Sequence, residues 1–378
     1  MKPELHTPTA SQISPPVGLT SRIFAFLWAS AHIFHAWHKG PADLELPLTD
    51  PLLILVLLAG FVVLLRPSSP HRLALLAGTQ LVVFAFQLPF VANHWTLAAF
   101  VNAGILCSYL VSRRSTAGDT AALIAQVAPY ARVAFLVAYG ASALAKLNTT
   151  FLHPDHSCAL DLMEHIAAFL GFGVPTSDPA RIAVIGTVTV VEVAIPLLLL
   201  ARRTRLFGIA LAALFHLVLA VTPTVLVMDF TAFILALLLL FAPADIGDRL
   251  AAEARAFSRR RPTVAGVIRR LWTRGRLGLA LFLLGLAIGR GMVFGPEPWV
   301  VLTWTVLLLY GTLVVFFGLL VLNSYRGEFE PPGAIGAGLP LHLAHHLLIV
   351  ALAVNASSPY IGLKTTSSFT MFSNLRTE

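Results

Sequence analysis

The stretch Arg181–Val221, RIAVIGTVTVVEVAIPLLLLARRTRLFGIALAALFHLVLAV, decides the fold class. It holds two apolar runs, each near the 17–25 residues (roughly) that an α-helix needs to cross a bilayer. A turn carrying Arg202, Arg203 and Arg205 separates them. The apolar residues are continuous and do not alternate with polar ones, which excludes the strands of a membrane β-barrel. One acid, Glu192, and one histidine, His216, interrupt the two runs near their middles. An ionisable group at that depth costs several kcal/mol and needs a partner or a role.

The same texture extends along the chain. Of its 378 residues 57% are apolar and 12% are charged, and its mean hydropathy is +0.82. A soluble globular enzyme has about 45–50% apolar and about 25% charged residues. A soluble enzyme, a disordered chain and a disulfide-rich secreted domain are therefore excluded. Candidate spans lie at 19–38, 51–66, 72–91, 94–112, 127–147, 180–201, 206–223, 226–242, 277–294, 298–323 and 336–355. The fold class expected is an all-α, polytopic helical membrane protein with about nine to eleven transmembrane helices. A polar tail at 1–18 precedes a membrane domain at 19–355, and a tail at 356–378 follows it. No apolar leader segment is evident in the first twenty residues.

The net charge of +8 sits mainly in short loops, so it sets orientation and does not signal nucleic acid. With the N-terminus cytoplasmic, the inner loops hold Arg66, Arg72, Arg113, Arg114 and the Arg202–Arg205 turn. A basic connector at 244–276 adds nine arginines between Arg249 and Arg276. The expectation is an inner (plasma) membrane protein whose connector includes an amphipathic helix on anionic headgroups. Cys107 and Cys158 fall on opposite sides, so no disulfide between them is expected. The longest outer loop, 148–179, contains His153, Asp155, His156, Asp161, Glu164 and His165, and is a candidate functional segment.

Lys146 is one of only four lysines and ends the fifth span in Tyr139-Gly-Ala-Ser-Ala-Leu-Ala-Lys146-Leu-Asn148. Helical spacing puts Ser142 and Tyr139 on its face. A lysine there either snorkels to the interface or supplies a titratable amine that arginine cannot. Glu192 and His216 lie at matching depth on consecutive antiparallel spans, and a direct contact between them is expected. Asp229 opens the eighth span, where a carboxylate suits a helix N-terminus. His32, His35 and His38 are spaced by three on the first span, and His342, His345 and His346 stand on the last. Such spacings suit a metal held between helices. No acidic ligand stands beside them in sequence, so no metal is expected.

Three stretches together resemble a known family. Ala134–Phe151, AFLVAYGASALAKLNTTF, is similar to the segment of the vitamin K-dependent gamma-carboxylase family in which a membrane helix ends in Lys-Leu. The pair Glu192-x3-Pro196 and Phe215-His216 resembles the helix pair that follows it. The tail Ser358–Glu378, SPYIGLKTTSSFTMFSNLRTE, is similar to the ending of bacterial members of the related HTTM (horizontally transferred transmembrane) set. The resemblance implies a reduced quinone such as vitamin K hydroquinone or menaquinol, with O2 and CO2, and Lys146 as the base that deprotonates the quinol. Tyr139, Ser142, Asn148, His153 and His156 would contact the quinol. Only about two dozen residues follow the last expected span, so a counterpart of the large soluble domain of the eukaryotic carboxylases is not expected. The substrate stays open, and a non-catalytic lipid or quinone carrier, a structural membrane protein and a His-ligated oxidase are the alternatives.

Overall fold

The computed structural model describes residues 18–38, 49–89, 91–111, 119–220, 227–260 and 342–363, with scattered positions between 262 and 373. Every regular element among them is an α-helix. In chain order these are α1 (Gly18–His38), α2 (Thr49–Leu65), α3 (Pro70–Gln87), α4 (Asn93–Val111), α5 (Thr120–Ala145) and α6 (Thr149–Leu152). They continue with α7 (Cys158–Leu170), α8 (Asp178–Leu200), α9 (Arg205–Ala220), α10 (Met228–Leu239), α11 (Ile246–Arg260) and α12 (Leu343–Ser357). By length and composition α4, α5 and α8 can each cross a membrane, and α2, α9, α10 and α12 are shorter apolar helices. The expected spans 277–294 and 298–323 lie outside the described residues, apart from isolated positions.

Local chemistry sets the helix ends. The Asp119 carboxylate accepts from the Ala121 N–H at 2.9 Å, so α5 starts before the span expected at 127 and runs through Pro129. Ser157 caps α7, which stops at Gly171, where φ is +74° and the left-handed backbone suits glycine. Proline stands in the first turn of α3 and α8, where its missing N–H costs nothing. The outer loop expected at 148–179 is thus largely helical, formed by α6 and α7.

Helix α10 runs through the middle, and every side chain in it except that of Phe230 is buried. A helix apolar on most sides is covered by neighbours or by lipid, and α10 is covered by neighbours. It packs on α1 and α9, and α1 packs in turn on α2 and α5. Trp28, Trp95, Tyr130, Phe135 and Phe233 fill the spaces between. Helix α8 is the opposite case, with Val190 at 67% and Leu197 at 60% exposure.

Helix α11 realises the amphipathic segment expected in the connector. Ile246 and Gly247 pack on α1, while Arg249, Arg255, Arg259 and Arg260 are exposed. The approach is close enough that a Cβ on Gly247 would meet the Thr20 backbone, and the Gly247 N–H donates to Thr20 Oγ1 at 2.9 Å.

Candidate functional site

Lys146 caps α5, and its side chain is buried, with the residue 5% exposed. The ammonium Nζ donates to Ser142 Oγ at 3.3 Å and lies 2.7 Å from Glu192 Oε2 on α8. Lys146 is therefore an internal ion-paired group and not one reaching into bulk water. The contact is close but not aligned as a hydrogen bond, and Glu192 Oε2 is buried with no aligned donor. Glu192 stands four residues before Pro196, which has no N–H to offer the Glu192 carbonyl.

No hydrogen bond or ion pair joins Glu192 to His216 among the described residues, although both line one cavity. Glu192 pairs with Lys146, and His216 Nε2 lies 3.2 Å from Tyr139 Oη. Depth along a span is legible from sequence, but the rotation of each helix about its axis is set by packing. Thr231 Oγ1 donates to the His216 carbonyl at 3.0 Å and ties α9 to α10. The two pairs face one cavity of about 270 Å³. Tyr139, Ser142, Lys146, Glu192 and His216 are its main polar groups, and the rest of the wall is chiefly aliphatic and aromatic. Leu162 and Met163 of α7 cover one side, and Phe369 of the C-terminal tail reaches the same space. The Phe369 N–H donates to Asn93 Oδ1 at 2.8 Å, which pins that part of the tail at the start of α4.

A second cluster adjoins this cavity through His94. His35 of α1, His94 of α4 and Asp229 of α10 are all buried. Asp229 Oδ2 lies 2.8 Å from His35 Nδ1 and 2.8 Å from His94 Nε2, and the two nitrogens are 3.0 Å apart. The other carboxylate oxygen, Oδ1, accepts from the Phe230 N–H at 2.8 Å, which fixes the plane of the group. His35 stacks on Trp95 with ring centroids 4.0 Å apart.

Of the remaining expected residues, Asn148 is structural. Its Oδ1 caps α6 by accepting from the Phe151 N–H at 2.9 Å, and its Nδ2 donates to the carbonyls of Ala145 and Ser373. His153 and His156 stack on each other on the exposed surface and do not line the cavity. Their place as quinol contacts is corrected, because the chain folds back into α7 and buries the helix's apolar side instead. His345 is held apart from His35. It meets Ser108 Oγ at 3.0 Å and stacks on Tyr130. The sequence argument against a metal rested on missing carboxylates. In space Asp229, 194 residues from His35, supplies one.

His94, Asn93 and Phe369 carried no signal in the sequence. A single histidine at a helix start has no spacing to betray it, and the tail's return is a tertiary event. No family model matches this chain, and neither does any curated protein or solved structure.

Proposed function

We propose that the protein is a polytopic integral membrane protein that binds a quinol in the cavity beside Lys146 and takes its hydroxyl proton onto the Lys146–Glu192 pair. The observation that carries this reading is a buried ion pair opening onto an otherwise apolar cavity. An apolar pocket with a few convergent polar groups suits a flat, largely hydrophobic ligand with a hydroxyl at one end. The pair holds one proton between two bases and has room for a second on the carboxylate. Glu192 Oε2, buried without an aligned donor, is the atom to which a ligand O–H donates.

Membrane residence is supported by the apolar helices and by their outward faces. Leu65, Phe86, Val190, Leu197, Leu343 and Leu347 are among many large apolar side chains left exposed. A soluble monomer rarely presents so much apolar surface. In the proposed topology the N-terminus and α11 are cytoplasmic and α7 is outside, in a plasma membrane. Cys158, which lines the cavity, should then react with an impermeant maleimide added outside intact cells.

The resemblance to vitamin K-dependent gamma-carboxylases extends the proposal to oxygenation of the bound quinol and CO2 addition to an acceptor. The test is saturable quinone binding by the purified protein in nanodiscs, followed by oxygen uptake with menadiol as reductant. Lys146→Arg keeps the charge but not the proton exchange, so it should fold normally and lose at least tenfold in quinol-dependent uptake. Full activity in that variant removes Lys146 from the chemistry. Binding without any uptake by the wild type makes the protein a carrier.

A further inference from the structure

The geometry points to a binding site for one divalent first-row transition ion at His35, His94 and Asp229, of the Fe(II) type, adjoining the cavity through His94. The inference goes beyond the quinol reading and does not depend on it.

The three facing atoms form a triangle with edges of 2.8, 2.8 and 3.0 Å. No arrangement of protons satisfies all three edges. If both imidazoles donate to Asp229 Oδ2, the edge between the nitrogens carries no bond and two N–H groups converge on one oxygen. If one imidazole donates to the other, a nitrogen lone pair faces the carboxylate across 2.8 Å. A cation over the face of the triangle accepts all three lone pairs at once.

The triangle is close in size to one face of an octahedral site. With metal–ligand bonds of about 2.1 Å, neighbouring ligand atoms are about 3.0 Å apart around an octahedral ion and about 3.4 Å apart around a tetrahedral one. The observed edges fit one face of an octahedron. Two histidines and one carboxylate on one face, with the remaining positions left to solvent or ligand, is a donor set that suits Fe(II). All three donors are buried and come from three different helices, so the site is held by the packing of α1, α4 and α10 and not by a mobile loop. The carboxylate has the outer-shell partner that a metal ligand needs, whereas His94 Nδ1 has no hydrogen-bond partner among the described residues. The Phe230 N–H orients the carboxylate, and Trp95, Phe230 and Phe233 surround the imidazoles with apolar rings. His94 also lines the cavity, so an ion there is within reach of what the cavity holds.

The experiment uses the full chain, purified without a polyhistidine tag. It is incubated without oxygen in Fe(II), or separately in Zn(II), then passed through a desalting column and analysed for metal. About one Fe(II) per chain is expected, and Zn(II), which such N/O sites generally hold more tightly than Fe(II), should compete for the same three donors. Asp229→Asn and His94→Ala should each lose the ion, whereas His345→Ala should keep it. Monodisperse wild-type protein holding less than about a tenth of an ion per chain overturns the site, as does full retention by Asp229→Asn. Where a triad variant does not fold, thermal unfolding of the wild type decides. Fe(II) in excess should raise the unfolding midpoint and Mg(II) should not, and equal midpoints with and without Fe(II) overturn the proposal.

Discussion

Two buried polar clusters in the same bundle follow opposite rules. Around Asn102, in the middle of α4, the groups named in the network partner one another. Trp28 Nε1 donates to Asn102 Oδ1 at 2.9 Å, and Asn102 Nδ2 donates to His32 Nε2 at 2.8 Å and Gln80 Oε1 at 3.0 Å. His32 Nδ1 must then be the protonated nitrogen, since it donates to the Trp28 carbonyl at 2.7 Å. The cluster is neutral, and it pins α1, α3 and α4 together. Around the cavity the pattern is different. Charges are buried, the Nδ1 atoms of His94 and His216 have no hydrogen-bond partner among the described residues, and three donors crowd one small triangle. A saturated network serves the fold. Unsatisfied buried groups cost free energy, and a protein that keeps them has a use for them.

The largest effect expected separates these two regions. Glu192→Gln leaves the Lys146 ammonium buried without its counter-charge, which costs about 3 kcal/mol. A paired replacement, Lys146→Met with Glu192→Leu, should regain most of that loss, because an ion pair and well-packed apolar side chains are often near equal in stability. Both variants should lose quinol-dependent oxygen uptake. Equilibrium unfolding in bicelles checks the first claim and the oxygen electrode the second. A double variant as unstable as the single one would mean the pair holds the fold and not a ligand.

The complementary variant is Asn102→Leu. It removes the three hydrogen bonds of the Asn102 amide and leaves their partners unsatisfied. At about 0.6 kcal/mol for each interhelical bond in a membrane protein, the expected loss is about 2 kcal/mol. Quinone affinity should stay within about twofold of the wild type. An affinity that falls with stability would show that the two clusters are coupled through α4, which carries both Asn102 and His94.

How much of this was legible in the sequence follows the same division. Most helix positions among the described residues are close to those read from apolar run length, since desolvating backbone over such runs leaves helices as the economical solution. The helix at Ile246–Arg260 was readable from its charged face. Lys146, Tyr139 and Ser142 were readable as neighbours because they share one helix face. The partner of Lys146 was not, because two spans at equal depth can face each other in many rotations. The His35–His94–Asp229 triangle was further out of reach. Each member belongs to a different helix, and Asp229 alone looks like an ordinary charge at a helix N-terminus. Spacing rules detect ligands that share an element, and here no two of them do.

The smallest effect concerns the boundary between the two regimes. Asn148 was expected to touch the ligand, and instead it performs two structural tasks with different atoms. Its Oδ1 caps α6, while its Nδ2 donates to Ala145 and, across the fold, to the carbonyl of Ser373 in the tail. Asn148→Ala removes both tasks and should cost about 1 kcal/mol, the usual value of an N-cap. Asn148→Asp separates them, because a carboxylate still accepts from the Phe151 N–H but cannot donate to the tail. It should keep the cap but still lose about 1 kcal/mol or more, because a carboxylate oxygen then faces the carbonyls of Ala145 and Ser373. The tail segment that carries Phe369 into the cavity wall would then be held by the Asn93 contact with one tie fewer. Exchange of a bound quinone should accelerate several-fold in both variants, with little change in oxygen uptake per bound quinol. Stopped-flow release of a fluorescent quinone analogue measures this directly. If Asn148→Asp releases ligand at the wild-type rate, the tail is packing and not a gate. If Asn148→Ala destabilises the fold while Asn148→Asp changes neither quantity, the cap is the whole of what Asn148 does.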